Sequence, residues 1–179
     1  MKPPRAKLIL WTGPKHSGKT TAVLKLVSKA RSAGFSVAGL VAPAVYHGRR
    51  LTGFDVVDIH TKKRTTLSRL GGHGPQIIGE FALTAEGLAL GRKALGPAAG
   101  TADMVIVDEF GPLELAGGGW REAVDELLRS TGGLGLLVVR DGSVDAVRRL
   151  YALFQPLIVP AAGGADALKT VIDVLRVSH

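Results

Sequence analysis

Apolar and polar positions along the chain alternate in blocks whose spacing switches repeatedly between strand and helix. Lys7–Thr12 is a short apolar run that reads as a buried strand. Ala22, Val23, Leu26, Val27 and Ala30 then recur at helical spacing, and Gly34 stands where a helix ends. Phe35–Ala42 predicts a second strand. The runs 51–59 and 64–70 predict two more, joined by the short polar connectors 47–50 and 60–63. Connectors this short exclude parallel crossovers, so these strands form an antiparallel meander inserted after the second strand. Residues 71–75 read as a flexible glycine loop and 77–83 as one further strand. Thr84 predicts an N-cap for a helix over 85–95, stopped by Gly96-Pro97.

The second half continues the alternation. Met104–Val107 predicts a short buried strand, and 120–129 an amphipathic helix with Val124, Leu127 and Leu128 inward. The unbroken apolar run 134–139 predicts a central parallel strand, placed between the strands 7–12 and 104–107. A helix over 144–150, a strand over 157–159 and a helix over 165–177 complete an α/β chain, read as a single domain over 1–179.

Composition narrows the function classes. The 179 residues suffice for a sizeable core, and the absence of cysteine removes disulfides and thiolate metal sites. No apolar run approaches membrane-spanning length, and the basic opening segment lacks the apolar stretch of a cleaved signal, so the expected compartment is the cytoplasm without a membrane partner. The net charge is +8, but the basic residues are scattered and aromatics make up only 5%, which disfavours nucleic acid as a main partner. Asparagine is absent, a bias that suits either a thermophile or a GC-rich genome.

The candidate chemistry begins between the first strand and the first helix. Gly13-Pro14-Lys15-His16-Ser17-Gly18-Lys19-Thr20 fits G-x-x-x-x-G-K-[ST], followed by Thr21. Backbone N–H groups of such a loop cradle phosphate oxygens, and the helix N-terminus behind it favours negative charge. Lys19 then reaches the β/γ-phosphates, and the Thr20 hydroxyl suits Mg²⁺. His16 is either a phosphate contact or a solvated loop residue. Lys15 either adds charge beside the phosphates or is solvated. Asp108 and Glu109 end an apolar strand, where carboxylates face a ligand crevice. Asp108 suits the metal, and Glu109 suits the base or orienter of an attacking water. Arg140 follows the run 134–139 and either aims at a γ-phosphate or pairs with Asp141. Asp55 and Asp58, three apart on a strand, face opposite sides and do not form a shared metal site. Asp108-Glu109-Phe110-Gly111 also fits the D-x-x-G of GTPases, but a guanine-reading Asn-Lys-x-Asp element is impossible without asparagine.

The glycine loop, Gly53-Phe54-Asp55-Val56 and the run Val107–Leu115 together resemble the small nucleoside-triphosphatases first described from hyperthermophiles. Asp-Glu-Phe-Gly-Pro-Leu-Glu-Leu is the more specific part. The resemblance implies a RecA-like P-loop fold with a mixed central sheet. It also implies Mg²⁺-dependent hydrolysis of nucleoside triphosphates, ATP and GTP included, with broad base tolerance. Carried over by position, Gly13, Gly18, Lys19 and Thr20 bind phosphate and metal, Asp108 the metal and Glu109 the water. Glu114 lies within the resembling run as a cap or brace. Two other readings use the same residues: a nucleotide or small-molecule kinase, and a nucleotide-switched module for a protein partner.

Overall fold

The computed structural model describes residues 7–178. The basic opening segment read above, apart from Lys7, lies outside them. The core is one ten-stranded sheet in the order β10-β1-β9-β8-β2-β4-β5-β7-β6, with β3 paired to β4 at the side. β1 (Lys7–Gly13), β2 (Val37–Val41), β8 (Met104–Val107), β9 (Leu134–Arg140) and β10 (Leu157–Pro160) form the parallel half. β4 (Arg50–Asp58) turns the sheet antiparallel against β2, and β5 (Arg64–Leu70) continues it. β9 lies between β1 and β8, as the apolar run predicts.

Strand side chains alternate between two helical layers. Ile9, Trp11, Met104, Ile106, Leu136 and Val138 face α1 (Lys19–Ser32) and α6 (Gly164–Arg176). Leu8, Leu10, Val105, Val107, Leu137 and Val139 face α2 (Ala85–Ala94), α4 (Arg121–Ser130) and α5 (Val144–Leu150). Because both faces of β1, β2, β8 and β9 are covered, those strands are apolar at nearly every position. Thr84 caps α2 by accepting Gly87 N–H at 2.9 Å, as its position before the apolar run predicts.

The antiparallel half departs from the sequence reading in two places. Ala44–His47 is a further strand, β3, paired with β4 across the turn at Gly48-Arg49. Residues 77–83 are not one strand but the hairpin of β6 (Gln76–Ile78) and β7 (Phe81–Leu83). Gly79, at φ 58°, takes the left-handed conformation that the tight reversal needs. A short helix α3 (Pro112–Leu115) also follows the Asp108-Glu109 pair, where Pro112 opens it.

Candidate active site

The site gathers at the C-terminal ends of β1, β9, β8 and β2, the edge where open α/β sheets place ligands. The loop between β1 and α1 is tightened by its own side chains. Ser17 Oγ donates to the Pro14 carbonyl at 2.8 Å, and Lys19 Nζ donates to the same oxygen at 2.6 Å. Gly18, at φ 78°, supplies the left-handed turn into α1, which begins without a side-chain cap. The amides of that first turn therefore remain available to an anion. Lys19 is buried, whereas Pro14, Lys15, His16, Ser17, Gly18 and Thr21 are exposed. His16 also stands at positive φ.

Thr20 and Asp108, 88 residues apart, meet directly. Thr20 Oγ1 donates to Asp108 Oδ2 at 2.7 Å, and Ala42 N–H donates to the same oxygen at 3.2 Å. Backbone bonds hold the strand end: Asp108 N–H donates to Leu40 O and Phe110 N–H to Val138 O. Burial pushes the Asp108 carboxyl up to about 6; the Thr20 and Ala42 donors work against that rise, Glu109 adds to it, and Lys19 opposes it. The Asp108–Glu109 peptide is cis.

Glu109 is held by Arg140. The guanidinium donates from Nε to Glu109 Oε1 and from Nη2 to Oε2, the latter at 3.0 Å. Asp141 is therefore not the partner of Arg140. The reason is register: Arg140 pairs with Gly13 across β9 and β1, and Val107 of the neighbouring β8 pairs with Leu137. The guanidinium thus projects beside the loop and toward the residue after Asp108. Such a fork-to-carboxylate contact fixes the orientation of both groups.

Glu114, within the run Val107–Leu115, acts as a brace. Its buried carboxylate accepts Gly111 N–H at 2.9 Å and Trp120 N–H at 3.3 Å, bracing the segment that follows Glu109. Burial raises its carboxyl above the usual glutamate range, and those backbone donors lower it again in part. Asp55 and Asp58 serve structure. Asp55 pairs with Arg64 at 2.7 Å and Arg69 at 3.3 Å, and Asp58 accepts the N–H groups of His60 and Thr61.

A glycine loop closed by a buried lysine, its threonine bonded to an aspartate at the end of a non-adjacent parallel strand, defines a P-loop nucleoside-triphosphatase site. The sequence model of the NTPase family matches residues 8–155, and the chain belongs to that family. A Methanothermobacter thermautotrophicus protein named nucleoside-triphosphatase THEP1 is 38% identical over 123 residues, covering 68% of this chain and 70% of that protein. The protein of the same name from Thermococcus kodakarensis is 32% identical over 146 residues, covering 79% and 81%. For the one from Methanopyrus kandleri the match is 34% identical and spans 65% of this chain but 64% of that protein's length. Two solved structures share the fold. A human cancer-related nucleoside triphosphatase superposes with TM-score 0.75 at 23% identity, over 97% of this chain and 100% of that one. THEP1 from Aquifex aeolicus superposes with TM-score 0.73 at 22% identity, over 94% and 98%.

Proposed function

We propose that the chain, acting as one domain, is a Mg²⁺-dependent phosphohydrolase that converts nucleoside triphosphates to diphosphate and phosphate with little selection of the base. The observation that carries this reading is the Thr20–Asp108 contact, with Glu109 the next residue along. Family membership supports the reaction class, and the names of its relatives support the triphosphate substrate.

The residues present fit magnesium. A hydroxyl and a carboxylate lie 2.7 Å apart at the loop, and burial raises the Asp108 carboxyl, a cost that a bound cation would offset. Among the described residues no cluster of three or more His, Cys, Asp or Glu side chains could hold a metal. That suits a cation which takes one or two protein oxygens and completes its shell with phosphate and water. When bound, Mg²⁺ supplies charge neutralisation at the β- and γ-phosphate oxygens.

The chain's own residues do the rest. Loop amides and the α1 N-terminus bind the phosphates. Lys19 exchanges its Pro14 contact for phosphate oxygen. Glu109, oriented by Arg140, fixes an attacking water and accepts its proton, and Arg140 stands beside the loop where charge develops on the γ-phosphate. Among the described residues no helix is long and apolar enough to cross a membrane. The cytoplasmic location expected from the sequence remains part of this proposal. The test is phosphate release from ATP, GTP, CTP and UTP, with Mg²⁺ and with EDTA. The expected result is release from all four that EDTA abolishes. Release from one triphosphate alone would overturn the broad base tolerance, and release untouched by EDTA would overturn the metal assignment.

A further inference from the structure

A cavity of about 400 Å³ opens directly from Glu109 and Arg140 into the antiparallel half of the molecule. One wall is apolar and comes from the meander: Leu51 and Phe54 of β4, Leu67 of β5 and Phe81 of β7. The facing wall carries Leu113 and Trp120 from the segment that Glu114 braces. Lys15 stands at the same mouth. The size lies within the range of small-molecule sites, roughly 300–1,000 Å³. A hydrolytic water needs only about 30 Å³.

The strand order says what the cavity faces. β4 and β5 lie beyond β8 and β2, on the opposite flank of β1 from β10. On the hydrolase reading proposed above, a triphosphate running from the loop toward Asp108 has its γ end at this mouth and its nucleoside toward β10. The cavity therefore lies in line with the transferable group and is not needed for the base.

The lining also selects a ligand class. Both Glu114 oxygens are taken by backbone N–H groups, so they offer little to a guest. Arg140 is already engaged by Glu109, and Glu80 adds a third acid to the lining. An acceptor carrying its own phosphate would meet these acids with Lys15 as the unengaged cation among the lining residues. A neutral molecule with a ring-sized apolar body and a hydroxyl at the mouth meets no such conflict.

We propose that the cavity is an acceptor site for a neutral, ring-bearing alcohol, and that the protein transfers the γ-phosphoryl group to its hydroxyl. The alcohol oxygen attacks the γ-phosphorus and forms the new P–O bond. The bond from that phosphorus to the bridging oxygen breaks, and the diphosphate leaves with the electron pair. The hydroxyl proton passes to the Glu109 carboxylate. Water entering the same position yields free phosphate, so hydrolysis is the reaction of the vacant cavity.

The test supplies ATP and Mg²⁺ with benzyl alcohol, 2-phenylethanol or 3-(hydroxymethyl)pyridine and follows phosphate monoester and free phosphate by ³¹P NMR. Glycerol, benzyl methyl ether and AMP serve as comparisons. The expected result is a monoester from the ring-bearing alcohols and none from the ether. Filling the cavity with Leu51→Trp should lower the ratio of ester to free phosphate about tenfold or more. Ile78→Trp, at an exposed position of the same lining, gives the same reading should Leu51→Trp fail to fold. Phosphate release with no ester from any of the three alcohols overturns the acceptor site while leaving hydrolysis intact. Equal transfer to glycerol, or transfer to AMP instead, overturns the ligand class. An unchanged ester ratio in both filled variants overturns the location.

Discussion

Replacing Glu109 with glutamine separates chemistry from binding and from stability. The glutamine amide keeps the shape and one acceptor oxygen but cannot take a proton. Loss of a general base slows turnover by about 10²–10⁴-fold, or roughly 3–5 kcal/mol of barrier. The stability cost is much smaller. The side chains of Glu109 and Arg140 are 31% and 37% exposed, so solvent screens their pairing. An ion pair of that exposure is worth at most about 1 kcal/mol, or a melting shift of roughly 2–4 °C at this chain length. Freed from its carboxylate, Arg140 is available to the γ-phosphate, so triphosphate affinity should hold or rise, by no more than about fivefold. Single-turnover hydrolysis, calorimetric titration with ATP and a thermal melt measure the three quantities. Wild-type turnover in folded Glu109→Gln would refute the role given to Glu109. A melting drop well beyond that range would show that the variant damages the segment rather than the chemistry.

Lys19→Ala should weaken triphosphate binding by at least the roughly 1.5–3 kcal/mol of a charge-assisted contact; unchanged affinity in a titration would sink the phosphate-loop assignment. Arg140→Ala should lower turnover more than ADP affinity, because the grip on Glu109 is lost, and Arg140→Lys should rescue little since an ammonium cannot form the two-pronged contact; unaltered kinetics would reduce Arg140 to a structural ion pair. Glu114→Ala leaves the Gly111 and Trp120 N–H groups without their acceptor and should cost about 1–3 kcal/mol for each, read by thermal or denaturant melts. Because the folded Glu114 carboxyl is raised, its ionisation favours the unfolded chain, so its contribution is fullest below about 4.5 and falls as pH climbs through the folded value. The gap between wild type and Glu114→Ala should therefore narrow from acid toward neutral pH, and a gap that widens would contradict the burial argument.

The phosphate loop was legible because its whole signal is contiguous. Strand, glycines, lysine and helix lie within one βα step, and neighbouring residues dictate their conformation. Asp108 and Glu109 were legible for the same reason, as acids closing a buried apolar strand, and the unbroken run 134–139 announced a strand covered on both faces. Three things were not legible. The strand β3 and the hairpin β6–β7 are three or four residues long, too short for an alternation of polar and apolar positions to repeat. Arg140 took Glu109 rather than the adjacent Asp141, a choice made by the register of β1, β9 and β8. The cavity draws its walls from β4, β5, β7 and the segment 109–120, pieces that no local pattern joins. Chain-local sterics and periodicity decide what each segment becomes. Which side chains from distant segments share a site is decided by sheet register and layer packing, and those exist only once the whole chain has folded.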